Sequence, residues 1–213
     1  MRGYLTVVLI ILGALTFGCA DPAANKTKAT VANAQPESNT SKPAGAERLV
    51  ISPENSKLEF VAAKVTRSHQ GSFKQFAGAI DLAPNSIEGS RVTIDIETGS
   101  VVTDEDKLTA HLKTADFFDV ARFPKATFVS TKIEPGIKAS TTHEVTGNFD
   151  LHGVKKSITF PATIDVTPDS VAVDAEFSIN RKDFGIVFAG KADDLIRDGV
   201  VIKLMLKVPR AKT

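Results

Sequence analysis

Along most of the chain, apolar side chains recur at every second position. Val92, Ile94 and Ile96 alternate with Arg91, Thr93, Asp95 and Glu97, and Val145, Gly147, Phe149 and Leu151 alternate with Thr146, Asn148, Asp150 and His152. The pattern continues through Ile158, Phe160, Ala162, Ile164 and Val166, through Val171, Val173, Ala175, Phe177 and Ile179, and through Val200, Ile202, Leu204, Leu206 and Val208. A period of two means extended strands with one dry and one wet face. Weaker alternation marks Leu58 to Ala62, Phe76 to Leu82 and Ala126 to Ser130, which brings the expected strands to eight. Turn residues punctuate the runs at Ala83-Pro84-Asn85-Ser86, Glu134-Pro135-Gly136, His152-Gly153 and Thr167-Pro168-Asp169. One stretch breaks the rhythm: Thr103-Asp104-Glu105-Asp106 reads as a helix start with Thr103 as its cap, continuing from Lys107 to Lys113.

Eight amphipathic antiparallel strands must bury their apolar faces against a second sheet or by closing on themselves. The fold expected is all-β, an eight-stranded antiparallel barrel with a short helix between strands. A barrel of that size has an interior that side chains fill or one ligand occupies. Its inward faces combine large Phe60, Phe76, Phe128, Phe149, Phe160 and Phe177 with small Gly78, Ala126, Gly147, Ala162 and Ala175. Two interiors are compatible with that mixture: a solid core in which large residues interdigitate over small ones, or a tunnel.

The first 46 residues lack the alternation. Arg2 followed by the apolar run Leu5–Leu15 reads as an export signal over residues 1–18, too short to span a bilayer comfortably. Gly18-Cys19-Ala20 just beyond it is similar to a bacterial lipobox, which makes Cys19 the expected site of lipidation; ordinary cleavage after Ala20 is the alternative. Residues 19–46 are mostly Ala, Asn, Thr, Ser, Lys and Pro, with Val31 the one large apolar side chain. Too little apolar surface is present to offset the entropy of ordering, so this segment is expected to be a flexible tether with ends roughly 30 Å apart. Residues 47–213 then form the barrel domain.

Composition narrows the chemistry. The chain has 26 Lys+Arg against 25 Asp+Glu, and losing residues 1–18 removes Arg2 alone, leaving no net charge. Nucleic acid is therefore not an expected partner, since it requires a basic stripe. There are 13 Phe, no Trp and one Tyr, which lies in the signal, so the domain packs and binds with Phe and aliphatic groups. The four His, at positions 69, 111, 143 and 152, have no metal-ligand spacing, and no Ser, Cys or Thr sits in a nucleophile context. No metal, no catalytic residue and no cofactor are expected.

Three stretches carry a resemblance: His111-Leu-Lys-Thr-Ala-Asp-Phe-Phe-Asp119 running into Phe123-Pro124 and Thr127–Thr131; Val145–Val154; and Ile179-Asn-Arg-Lys-Asp-Phe-Gly185. In order and spacing they resemble the YceI-like family of bacterial polyisoprenoid-binding proteins over about residues 48–209. Leu49 stands where the family often has Trp, Leu108-Thr109 where an Arg-Asp pair often precedes His-Leu, and Phe149, Asp150 and Lys155 depart from the family's more usual Leu, Thr and Thr. The resemblance implies an extended lipocalin-like barrel, exported to the periplasm, with an amphiphilic isoprenoid of the polyprenyl quinone or phosphate class in its lumen. The residues expected against that ligand are Leu58, Phe60, Phe76, Ile80, Ile94, Phe128, Phe149, Phe160, Ile164, Phe177, Ile179 and Leu204, with His111 near the barrel mouth as a head-group contact. Lipidation at Cys19 would attach the protein to a membrane, the outer in preference to the inner. The rival reading is a solid-core barrel that serves envelope stress or protein interaction without a lipid; an enzyme is not expected.

Overall fold

The alternating segments form strands that curl into one antiparallel sheet. The structure, a computed structural model, describes residues 20–36, 42–84, 86–136 and 141–210. In chain order the strands are β1 (Thr30–Asn33), β2 (Glu47–Ile51), β3 (Ser56–Ala63), β4 (Ser68–Phe73), β5 (Phe76–Leu82), β6 (Arg91–Glu97) and β7 (Val101–Thr103). After helix α1 (Asp106–Leu112) come β8 (Lys125–Pro135), β9 (His143–Leu151), β10 (Val154–Val166), β11 (Ser170–Asn180), β12 (Gly190–Lys191), β13 (Asp194–Leu195) and β14 (Gly199–Pro209). Only Lys74 and Gln75 separate β4 from β5, so the two are halves of one bent strand, and β6 and β7 are the bent strand beside it.

That bend closes the ring. Pairing runs β5-β6-β8-β9-β10-β11-β14-β3-β4, and β4 leads straight back into β5. Counting each bent strand once gives the eight long strands the alternation predicts; β1 and β2 are short additions to the same sheet. Sequence pattern misses β4, whose Ser-His-Gln-Gly-Ser-Phe puts His69 and Gly71 at inward positions where an apolar side chain would have flagged a strand. The β9–β10 hairpin turns on two residues, His152 and Gly153, both at positive φ (55° and 73°), the primed turn whose twist suits strand pairs. The helix starts three residues after Thr103, which lies in β7; Glu105 occupies the cap position without a capping bond, and the Thr103 hydroxyl bonds to the Glu105 carbonyl and Thr109 instead.

The N-terminal segment departs most from expectation. Residues 20–36, read from composition as flexible tether, lie ordered along the barrel wall. Strand β10 pairs with β11 only over Thr163–Val166, and beyond Pro161, which has no N–H to offer, the two strands diverge. The chain from Thr27 to Asn33 fills the gap as a strap. Ala29 N–H donates to the Ser178 carbonyl (2.8 Å), Ser178 N–H donates to the Thr27 carbonyl (2.9 Å), and Thr30–Asn33 pairs antiparallel with Lys156–Thr159. Lys26 ties down to Glu176 (2.9 Å) and Asp21 to Arg197 (3.7 Å). Backbone donors and acceptors exposed by the splayed strands hold the strap, a driving force that composition does not reveal. Cys19 and the export signal lie outside the described residues.

Candidate functional site

Three adjoining spaces that share wall residues lie within the barrel and at one end of it. The deepest, a cavity of about 110 Å³, is bordered by Leu58, Phe60, Ile80, Ile94, Phe128, Phe149, Phe160, Ile164, Phe177, Ile179 and Leu204, with Glu59 the one polar residue on its wall. Twelve residues besides His111 were expected inside; these eleven border the deep chamber. Phe76 does not: it is buried at the start of β5, beside the bend, and borders none of the three spaces. A second apolar chamber, also about 110 Å³, shares Phe60, Phe73, Ile96, Phe149, Ile179 and Ile202 with the first and adds Leu112, Phe117, Phe118 and Ile186. The third, about 420 Å³, is the mouth, lined by Leu108, His111, Phe117, Phe188 and Ile196 together with Lys64, His69, Glu105, Lys107, Lys191 and Asp194. Phe60 borders all three.

Glycine makes the bore. Phe60 on β3 lies flat over Gly71, its partner across the strand pair; a methyl group on Gly71 would stand 2.6 Å and 2.8 Å from the Phe60 ring carbons Cε1 and Cε2. On the other side of the barrel, the Phe128 ring lies over Gly147, where a methyl group would come within 2.6 Å of its Cε2. Phe160 and Phe177, on neighbouring strands, stack along the wall with centroids 4.2 Å apart and planes 13° from parallel. Rings laid against the wall leave space on the axis; rings projecting across it would have made a plug. Large residues do interdigitate over small ones here, but sideways, so apolar chambers remain between them.

At the mouth, charge is mostly paired. Lys64 and Thr66 hold Asp194, whose carboxyl sits below the ordinary aspartate range chiefly because of the Lys64 hydrogen bond. His69 Nδ1 meets Asp104 at 2.9 Å; burial opposes ionisation of Asp104, but His69, Gln70 and Arg67 outweigh it and bring its pKa down. His111 is less free than a head-group ligand would be. Its Nε2 is 2.8 Å from Asp116, and its ring stands edge-on between Phe117 (4.9 Å) and Phe188 (5.2 Å). Lys107 and Lys191 make no ion pair among the described residues and line the mouth. Periodicity could not single them out, because they sit on the helix and on the β12–β13 hairpin instead of an alternating strand.

Below the mouth, Arg181 is a buried pin. Its Nη1 donates to the Ile186 carbonyl (2.8 Å), Nε to that of Arg197 (3.2 Å), and Nη2 to the Ile196 carbonyl (3.4 Å) and Asp198 (3.2 Å). Burial lowers its pKa and Asp198 opposes that shift. The turn Arg181–Phe184 ends at Gly185 with φ 75°, a left-handed residue that reverses the chain toward the mouth loop. The pinning of this turn to the barrel thus falls on Arg181.

A family model described as the YceI-like domain matches residues 49–208. The chain belongs to the YceI-like family. The YceI protein of Salmonella arizonae and a UPF0312 protein of Pseudomonas putida are each 34% identical over 122 residues, 54% of this chain and 62% of their own length. The aligned segment therefore spans less than two thirds of those relatives. Among solved structures, Burkholderia cenocepacia BcnA superposes with a TM-score of 0.63 at 24% identity, covering 71% of this chain and 95% of that one. A Saccharophagus degradans protein described as a polyisoprenoid binding domain gives 0.61 at 18% identity, covering 78% and 99%. At these identities the likeness is one of fold. The three YceI-like stretches have distinct places in the structure: His111, Leu112 and Phe117 wall the mouth, His152-Gly153 is the β9–β10 turn, and Ile179–Gly185 carries the Arg181 pin.

Proposed function

We propose that this YceI-like barrel binds one long prenyl-type lipid, its chain threaded through the two inner chambers and its head group at the mouth. The observation that carries the reading is the row of apolar spaces ending in a charged opening. Lys107 and Lys191, both without carboxylate partners among the described residues, favour an anionic head such as a phosphate over a neutral quinone. His111 then shapes the opening, and Phe117 and Phe188 flank the first carbons of the chain. Each inner chamber has room for about one benzene-sized group, so a long chain must turn lining side chains aside as it enters. Burial of each methylene contributes about 0.8 kcal/mol, so a few isoprene units give micromolar binding after the costs of association.

A binder fits better than an enzyme. Glu59 and Arg181 are the polar residues bordering the inner chambers, and Arg181 is already committed to three carbonyls and Asp198. The proposal includes an envelope address: export by residues 1–18 and acylation of Cys19, for which the lipobox-like sequence is the support. The test is organic extraction of the protein purified from its native envelope, followed by mass spectrometry. A prenyl lipid near one per barrel is the expected result. A folded barrel that yields none, and that takes up no polyprenyl phosphate when it is supplied, would refute the carrier reading and leave an interaction module.

A further inference from the structure

We infer that the open end of the barrel sits against a lipid bilayer, so that ligand passes between membrane and lumen without crossing water. Two independent placements converge on that end. The first is apolar exposure. Five large apolar side chains are exposed among the described residues, and three of them rim the mouth: Val187 (64%), Leu195 (49%) and Val65 (43%). They are held as one rim, because Val65 N–H donates to the Leu195 carbonyl (3.1 Å) and Val187 adjoins Phe188, which lines the mouth. Val166, by contrast, marks the closed end, beside the β10–β11 turn. A cluster of exposed valine and leucine around a hole in a protein surface marks an interaction site.

The second placement is the strap. It does not let the N-terminus roam. Asp21 pairs with Arg197, and Ala23 packs so close to Gly199 that a methyl group there would be 2.8 Å from the Ala23 side chain. Both contacts lie where β14 begins, at the mouth. The described chain therefore starts, at Ala20, on the mouth end of the barrel, one residue after the proposed acylation site. An acyl anchor in that position turns the apolar rim toward the membrane, and rim and anchor together supply the two signals that lasting attachment needs. Charge at the mouth is mixed, Lys64, Lys107 and Lys191 with Glu105 and Asp194, so the contact is apolar first and changes little with ionic strength.

The inference names the entry route for the proposed ligand, but its test reads orientation and not cargo. The chain has no Trp, so a single introduced Trp is a clean reporter. Val65→Trp, Val187→Trp and Leu195→Trp at the rim, and Val166→Trp at the closed end, are made in the full chain and purified from the host membrane. Each is reconstituted into phosphatidylethanolamine–phosphatidylglycerol vesicles with brominated acyl chains. The rim reporters should shift their emission to the blue and lose most of it to bromine quenching, while the Val166 reporter matches its behaviour in unbrominated vesicles. Quenching at Val166 equal to that at the rim, or none at any position, overturns the inference. An empty barrel whose rim reporters are quenched leaves this orientation standing and defeats only the carrier reading.

Discussion

Replacing Gly71 with Ala should shut the passage between the chambers. The added methyl group would lie 2.6 Å and 2.8 Å from Cε1 and Cε2 of Phe60, closer than non-bonded carbons approach. To reach ordinary contact at about 3.5 Å the ring must move by at least about 1 Å. The wall behind Gly71 is sheet, so the ring moves inward, and Phe60 borders all three spaces. Overpacking of this kind costs about 1–3 kcal/mol, read as a lower urea midpoint at unchanged slope. The larger effect is on binding. A chain stopped at Phe60 loses burial of the isoprene units beyond it, each with five carbons and about 4 kcal/mol of gross transfer energy, or roughly a thousandfold in affinity per unit. Titration with farnesyl phosphate and with a polyprenyl phosphate of eight units should show wild type preferring the longer chain and Gly71→Ala losing most of that preference. Phe60→Leu in the same chain relieves the overlap and should restore it. If Gly71→Ala keeps the wild-type preference for length, the chambers do not communicate past Phe60 and the threaded-chain geometry fails.

Other consequences are simpler to check. Arg181→Ala strands three buried carbonyls and opens space beside the middle chamber, and should cost about 3–5 kcal/mol in chemical denaturation, more than any mutation of an exposed mouth lysine. Gly153→Ala places a methyl group 3.0 Å from Cδ1 of Phe123 and closer still to its Cε1, at a residue with φ 73°, and should lower stability by about 1–3 kcal/mol. Glu176 is held below the ordinary glutamate range, first by its hydrogen bond from Lys26, with Lys203 adding to it against the effect of burial. A depressed carboxylate stabilises the folded state above its unfolded pKa, and that contribution is lost as pH falls through the folded value. Hydrogen exchange of strap amides, corrected for intrinsic rate, should therefore accelerate in acid before the barrel unfolds. Lys26→Ala should flatten that dependence; an unchanged profile would rule out the clamp.

The wall of this barrel was far more legible than its two ends. Alternation marks β6, β9, β10, β11 and β14 because each has one face on the lumen, and that same alternation identifies eleven of the residues along the deep chamber. It misjudges Phe76, since a bend in the backbone two residues earlier changes where an inward side chain lands. It misses Phe73, Phe117, Phe118 and Phe188, which reach the lumen from a polar strand or from loops whose course is set by tertiary contacts. The strap escaped for a different reason. Its side chains are small or polar apart from Val31, and what fixes it, beside the burial of Ala29, is a row of unpaired backbone groups between β10 and β11, contributed by residues more than a hundred positions away.

That distance sets an order of events. The strap is made before the strands that receive it, and it can dock only after β10 and β11 have been synthesised and have met. Until then those two strands expose bare edges, the hazard that sheet proteins must cover. Closure of the seam is thus a late, long-range step, slow by the logic of loop closure. A segment made early is among the last to take its place.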